Sequence, residues 1–221
     1  MLKDLWRAEP LTPAQAAQPK KSSSAHSPHT RSSHGLEQFF SSIQGQENLS
    51  LLDFSGASQA NVSFITSLGH RIYSNDVLRT MEEAFGGPGD FVAHQSDPAR
   101  AALFLRESLE FPDQSFDGAL LWDTLQFLAP PLLEEAVDRL HRILRPQSFL
   151  LAFFHAEEKS ATAPLFTYRI VESKSMSLTP RGESRPTHYF NNRSLEKLFQ
   201  KFASVKFFLT RDHLREVIVR R

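Results

Sequence analysis

Four acids and one histidine stand where apolar runs end or helices begin. Asp53 closes L-S-L-L, Asp76 follows R-I-Y-S-N, Asp97 precedes Pro98, Asp123 closes G-A-L-L-W and His155 follows F-L-L-A-F-F. An ionised carboxylate offers only acceptors, so acids at the ends of buried runs can hold the hydroxyl or amino groups of a bound molecule through charge-assisted bonds. Between Asp53 and Gln59 lie Ser55, Gly56, Ala57 and Ser58, small residues that let a backbone approach a ligand closely. Each acid also has a plainer use. Asp53 can satisfy the amides of its own turn, Asp76 and Asp97 can cap helices, and Asp123 can be simple polar termination of a strand. His155, His188 and Tyr189 are the candidate general bases or substrate-orienting groups, and a solvated loop histidine is the alternative for His155.

These residues need a scaffold that brings strand ends together. From Gly35 onward, short apolar runs bounded by turn residues alternate with segments of helical period, which predicts an α/β fold. A helix is expected over Leu36 to Ile43 and a strand over Leu49 to Phe54, followed by a helix from Gln59 to Leu68. A second strand over Arg71 to Ser74 leads into a helix over Val77 to Phe85, stopped by the Gly86-Gly87-Pro88-Gly89 breaker. Phe91 to His94 reads as a short third strand ahead of an Asp97-Pro98 helix start, with Ala101 to Leu105 as the alternative strand. Asp117 to Asp123 is a continuous apolar run suited to a strand covered on both faces, and Trp122 within it reads as core. A helix from Pro131 to Leu144 and a strand from Phe149 to Phe154 follow. The polar, Pro-interrupted stretch from Ala156 to Tyr189 carries one plausible hairpin, at Tyr168 to Val171 and Ser175 to Leu178. Asn191 can cap a helix bearing Leu195, Leu198, Phe199 and Phe202, and Val205 to Thr210 with Arg215 to Val219 forms a terminal antiparallel pair around Asp212-His213.

Composition narrows the partners. The 221 residues carry 25 Lys and Arg against 25 Asp and Glu and contain no cysteine. Zero net charge removes the long-range attraction that draws a protein to nucleic acid or an anionic membrane, so neither partner is expected. The absence of cysteine excludes disulfides, thiolate metal sites and cysteine nucleophiles, and fits a cytoplasmic location. Residues 1–34 hold Ala, Pro, Gln, Ser, Thr and His with a surplus of three positive charges. They are expected to be a disordered tail preceding one domain over residues 35–221. His26, His29 and His34 are too irregularly spaced for a metal site, and no metal is expected. Leu2, Leu5 and Trp6 could dock an unspecified partner.

In order and spacing, the stretch from Leu36 to Arg221 resembles the class I S-adenosylmethionine-dependent methyltransferases, in their small-molecule, type 11-like branch. L-L-D-F-S-G-A-S-Q-A-N stands where that family has a strand, an acid and a glycine-rich loop. Asp76 follows 23 residues after Asp53, at the position of the acid that accepts bonds from the ribose hydroxyls. F-P-D-Q-S-F-D-G-A-L-L-W-D-T-L-Q-F-L is similar to the fourth-strand signature, and L-H-R-I-L-R-P to the approach to the fifth. The resemblance implies a Rossmann-like methyltransferase fold, with a mostly parallel seven-stranded sheet, helices on both faces and a C-terminal antiparallel hairpin. It implies S-adenosylmethionine as cofactor, held by Asp53, Ser55, Gly56, Ala57, Asp76, Asp97 (on the adenine amino group) and Asp123. A small-molecule substrate would sit beneath a lid formed by residues 156–189, whose Arg169, Lys174, Arg181 and Arg185 would favour an anionic substrate or simply be solvated. The family's D-x-G-x-G-x-G is altered, with Ser55, Ala57 and Gln59 in place of glycines. An alternative function follows, a catalytically inactive binding or regulatory module on the same fold. Gly56 to Ala60 also superficially matches a nucleophile elbow centred on Ser58, with Asp123 and His213 in hydrolase order, but too little ordered sequence precedes it for that fold.

Overall fold

The computed structural model describes residues 28–87, 91–156, 161–210 and 214–221. The proposed Leu2, Leu5 and Trp6 motif, His26, Pro88 and Gly89 of the glycine breaker and the Asp212-His213 connection lie outside them. The chain enters through β1 (His29–Ser32) and α1 (His34–Ser42), then runs β2 (Ser50–Asp53), α2 (Gln59–Ser67), β3 (Arg71–Ser74), α3 (Val77–Phe85) and α4 (Pro98–Leu109). It continues with β4 (Phe116–Trp122), a 3-10 turn at Thr124–Phe127, α5 (Pro130–Ile143) and β5 (Leu144–His155). A long hairpin, β6 (Ala163–Glu172) and β7 (Ser175–Ser184), is followed by α6 (Asn192–Leu198), β8 (Ser204–Leu209) and β9 (Leu214–Arg220).

The main sheet has six strands in the order β3-β2-β4-β5-β9-β8. Its first four strands are mutually parallel, while β9 runs antiparallel to β5 and to β8. Every residue of β2 is buried, and all of β4 but Asp117, as a parallel strand covered on both faces requires. Local signals set the helix ends. Asp76 accepts from the Arg79 amide at the start of α3, Asp97 caps α4 ahead of Pro98, and Asn191 forms a capping box with Ser194 on α6. Gly118 passes β4 through a gap with no room for a side chain, since a methyl there would lie 2.9 Å from both Leu51 Cδ2 and Phe39 Cζ.

Two expectations are corrected. The sheet has six strands instead of seven, because Phe91–His94 forms turns and Ala101–Leu105 lies within α4. That segment is pinned by side chains instead of a strand ladder. Phe91 is wholly buried, and the amide of Gln95 donates to the Phe127 carbonyl at 2.7 Å. The second concerns residues 29–34, expected to lie in the tail, which form β1 and the start of α1. His29–Ser32 pairs antiparallel with β7, giving a second sheet in the order β1-β7-β6. Among the described residues no helix is long and apolar enough to cross a membrane.

Gly118→Ala is expected to lower stability by about 1–3 kcal/mol, since the surrounding core must shift to admit a methyl. Urea unfolding checks this, and an unchanged midpoint would show that the gap relaxes freely.

Candidate functional site

The carboxyl ends of β2, β3 and β4 converge on one cluster. Asp53 ends β2 and is completely buried. Its Oδ1 accepts from the Trp122 indole at 2.7 Å and from the Ser55 amide at 3.0 Å; its Oδ2 accepts from Asn61 Nδ2 at 2.8 Å and the Ser55 hydroxyl at 2.9 Å. Burial pushes its carboxyl up, and the bonds from Trp122, Asn61 and Ser55 oppose that shift. Both oxygens are thereby used within the protein, so Asp53 organises the turn from inside. Trp122 reaches it because the backbone turns left-handed at the end of β4, with φ of 53°.

The loop after β2 resolves the question of its missing glycines. Gly56 is the loop residue with positive φ, at 82°, and neither Ser55 nor Ala57 is among the left-handed residues, so the replacements carry no such strain. A Cβ on Gly56 would lie 3.0 Å from the Asp76 Cβ. The Gly56 amide donates to the Asn75 carbonyl at 3.1 Å, and Ser55 bridges Asp76, so the loop is fastened to the end of β3. Ala57 is exposed, and Gln59 turns away to donate to Ser63 at 2.8 Å.

Asp76 caps α3 and also binds Arg181, whose Nη1 lies 2.8 Å from Oδ1 and 3.1 Å from Oδ2. Arg181 comes from β7, and β6 supplies Phe166 and Tyr168 beside it. The Tyr168 ring stacks on Trp122 at 4.8 Å with an interplanar angle of 6°. Phe54, Ser55, Asp76, Leu78, Trp122, Asp123, Thr124, Phe166, Tyr168 and Arg181 enclose a cavity of about 10 Å³, room for roughly one water. Asp123 is wholly buried there next to Tyr168, and burial pushes its carboxyl up to about 7.

The structure thus gathers Asp53, Ser55, Gly56, Asp76 and Asp123, and leaves three expected site residues outside. Asp97 is an exposed cap accepting from the Ala99 and Arg100 amides, Ala57 faces solvent, and His155 does not line the cavity. His188 is exposed at a separate hollow of about 320 Å³ between α5 and α6. Of the basic residues in the 156–189 segment, Arg169, Lys174 and Arg185 are exposed, and Arg181 is taken up by Asp76. Sequence reasoning missed the donor roles of Asn61 and Trp122. An amide eight residues after the acid, on the first turn of the following helix, was the available signal for Asn61. No group of three or more potential metal ligands occurs among the described residues.

Residues 52–152 match the family model described as a methyltransferase domain. Over that stretch the chain is similar to the class I S-adenosylmethionine-dependent methyltransferase family. Solved structures similar to it match at low identity. One is the 1,6-didemethyltoxoflavin-N1-methyltransferase of Burkholderia thailandensis, seen with 1,6-didemethyltoxoflavin and S-adenosylhomocysteine; identity is 15%, coverage 85% of this chain and 76% of that one, and TM-score 0.45. A methyltransferase from Methanosarcina mazei shows 17% identity over 80% of this chain and 93% of its own, with TM-score 0.45. Another from Archaeoglobus fulgidus shows 13% identity over 84% and 91%, with TM-score 0.48. No curated protein matches the sequence.

S-adenosylmethionine is the cofactor of this family, and the residues here fit it in part. The fastened loop with its one glycine and the acid at the end of β3 are in place, while Tyr168, Phe166 and Arg181 fill the space between. Small-molecule sites are commonly about 300–1,000 Å³, so these side chains must move before a nucleoside can enter.

A carboxyl whose folded pKa lies above its unfolded one keeps a proton that the unfolded chain releases, so stability falls as pH rises between the two values. For Asp123 that window runs from about 4 to about 7 and is on the order of 4 kcal/mol deep. Asp123→Asn is expected to flatten this part of the profile, in chemical denaturation at pH 4.5 and pH 8. Parallel profiles for the two proteins would contradict the burial argument.

Proposed function

We propose that this protein is a cytoplasmic S-adenosylmethionine-dependent methyltransferase acting on a small molecule, through a cleft that its own β6–β7 hairpin closes. The observation that carries the reading is the placement of Asp76. Its two oxygens lie at the end of β3, against the glycine of the β2 loop, and bind a guanidinium that is itself partly exposed. The single Nη1 of Arg181 engages both carboxylate oxygens, the same two acceptors that a vicinal diol needs. When bound, S-adenosylmethionine supplies an electrophilic methyl group on a sulfonium centre.

The chain's own residues then have defined work. Asp76 accepts from the ribose hydroxyls, and Gly56 lets the backbone come close with no side chain between. Asp53 stays with Trp122, Asn61 and Ser55 and holds the loop in shape. The hairpin excludes water from the cleft, which strengthens every polar contact inside it. Asp123 and Tyr168, displaced from each other, offer a carboxyl and a hydroxyl to orient an acceptor. Alignment and desolvation are sufficient for methyl transfer to a nucleophile already in place, so His155, away from the cavity, is not needed as a base.

Energies set the expected affinity. Displacing Tyr168 forfeits about 1.5–3 kcal/mol of burial and about 0.5–1.5 kcal/mol of ring stacking, and a partly exposed ion pair adds about 1 kcal/mol or less. Together these weaken binding by roughly two to four powers of ten. A cofactor with an affinity of about 1 nM for an open cleft would therefore be held at about 0.1–10 μM. The filled cavity also favours a second reading, the inactive binding module, in which Arg181 and Tyr168 permanently take the cofactor's place.

Calorimetric titration with S-adenosylmethionine separates the two. Saturable binding at about 0.1–10 μM is expected, reduced at least tenfold in Asp76→Ala, with thermal melts confirming that the variant is folded. No heat at millimolar cofactor would overturn the enzyme reading and leave the module.

A further inference from the structure

The hairpin that fills the cleft does not close it alone. β1 is paired along β7, His29 opposite Leu178 through to Ser32 opposite Ser175, and the Ser33 amide extends the contact to the Lys174 carbonyl at 2.9 Å. The same short segment is anchored to the main sheet at one side chain. Glu216 of β9 is completely buried; its Oε1 accepts from Arg31 Nη2 at 2.8 Å, and its Oε2 accepts from the Ser33 hydroxyl at 2.9 Å and the Gly35 amide at 2.6 Å. A Cβ on Gly35 would sit 3.0 Å from the Glu216 Cβ, so the chain passes as close to this carboxylate as a backbone can. One flank of β1 therefore grips the hairpin while its end is tied to the core.

Ring contacts continue from β1 into the site. His29 meets Phe166 edge-on at 5.8 Å, Phe166 lies 6.1 Å from Tyr168, and Tyr168 stacks on Trp122, whose indole binds Asp53. The hairpin has further fastenings: Asn61 accepts from the Ile170 amide at 2.7 Å and donates to the Tyr168 carbonyl at 3.3 Å, Arg181 pairs with Asp76, and Leu165, Ile170, Met176 and Leu178 are buried in the core. Without β1, β7 would be an open edge strand with an unpaired ladder.

We propose that β1 is a latch: by bridging β7 to Glu216 it holds Phe166, Tyr168 and Arg181 in the cleft, and cofactor entry requires its release. This rests on the methyltransferase reading for the identity of the ligand, though not for the mechanics of the hairpin. A contact chain alone does not establish coupling, so the test must perturb β1 and read the hairpin.

Three forms of the full chain serve: wild type, Arg31→Met, and His29→Ala, whose ring lies at the exposed start of β1. Amide hydrogen exchange is followed in peptides from β1, β6, β7 and β4, alongside calorimetric titration with S-adenosylmethionine. In Arg31→Met the amides of β6 and β7 are expected to exchange at least tenfold faster with β4 unchanged, and cofactor affinity to rise several-fold. His29→Ala should speed exchange around Phe166 by a smaller factor, and it decides the matter if Arg31→Met loosens the whole sheet. Faster exchange confined to β1, or a loosened hairpin with unchanged cofactor affinity, would overturn the latch. A loosened hairpin with no cofactor binding in any form would instead overturn the methyltransferase reading and leave the fastening in place. Equal cofactor binding and equal exchange in all three forms would do the reverse.

Discussion

The buried carboxylate of Asp53 is the constraint on which the arrangement depends. A charge wholly removed from water is tolerated only where donors surround it, and the four donors come from three parts of the chain. The Ser55 amide and hydroxyl fix the loop after β2, Asn61 fixes the first turn of α2, and the Trp122 indole fixes the end of β4. Trp122 can serve only because its backbone goes left-handed, a conformation that costs a non-glycine residue of order 1–3 kcal/mol and must be held by its surroundings. Asn61 carries the constraint further by accepting from the Ile170 amide. One acid thus sets the loop, the strand end, the helix start and the seat of the hairpin.

The cleft inherits its state from that network. Once Trp122 is locked over Asp53, its free face offers a flat apolar surface at the strand ends, and Tyr168 covers it. Arg181 then neutralises Asp76 within the same layer. The interactions differ in strength. Asp53, Asn61 and Trp122 are fully buried and their bonds would be costly to break, whereas the Arg181–Asp76 pair is partly exposed, with side-chain exposures of 25% and 35%, in the range where ion pairs contribute little. Rearrangement at the site therefore falls to the hairpin's side chains, and the loop and strand ends beneath them stay as they are.

Much of this was legible in the sequence, and the part that was not has a common cause. β3 and α3 fall where periodicity and the Asp76 and Gly86 punctuation put them, because their determinants are local. Asp97 before Pro98 read both as a cap and as an adenine contact, and the local use prevailed. The missed features are held by partners distant in sequence. β1 has no apolar content of its own and reads as tail; it is fixed by a ladder to β7 and by a carboxylate 185 residues away. Phe91 to His94 reads as a third strand in the sequence, yet Val92, Ala93 and His94 are exposed, and Phe91 and Gln95 hold the segment as a turn instead of a ladder. The small residues around Gly56 announced a close backbone approach, but that Asp76 itself is the near neighbour could be seen only in the fold. Trp122 was read as core, and it is; its indole bond to an acid 69 residues earlier gives it a second role.

The most direct measurement is the NMR signal of the Trp122 indole proton, assigned against Trp6→Phe and followed during titration with S-adenosylmethionine. In the free protein it should be shielded from solvent exchange by its bond to Asp53. On titration it should stay shielded while its chemical shift moves, as Tyr168 leaves the indole face and Asp53 does not. A rapidly exchanging indole proton in the free protein, or one whose shift is unmoved at saturating cofactor, would contradict the account.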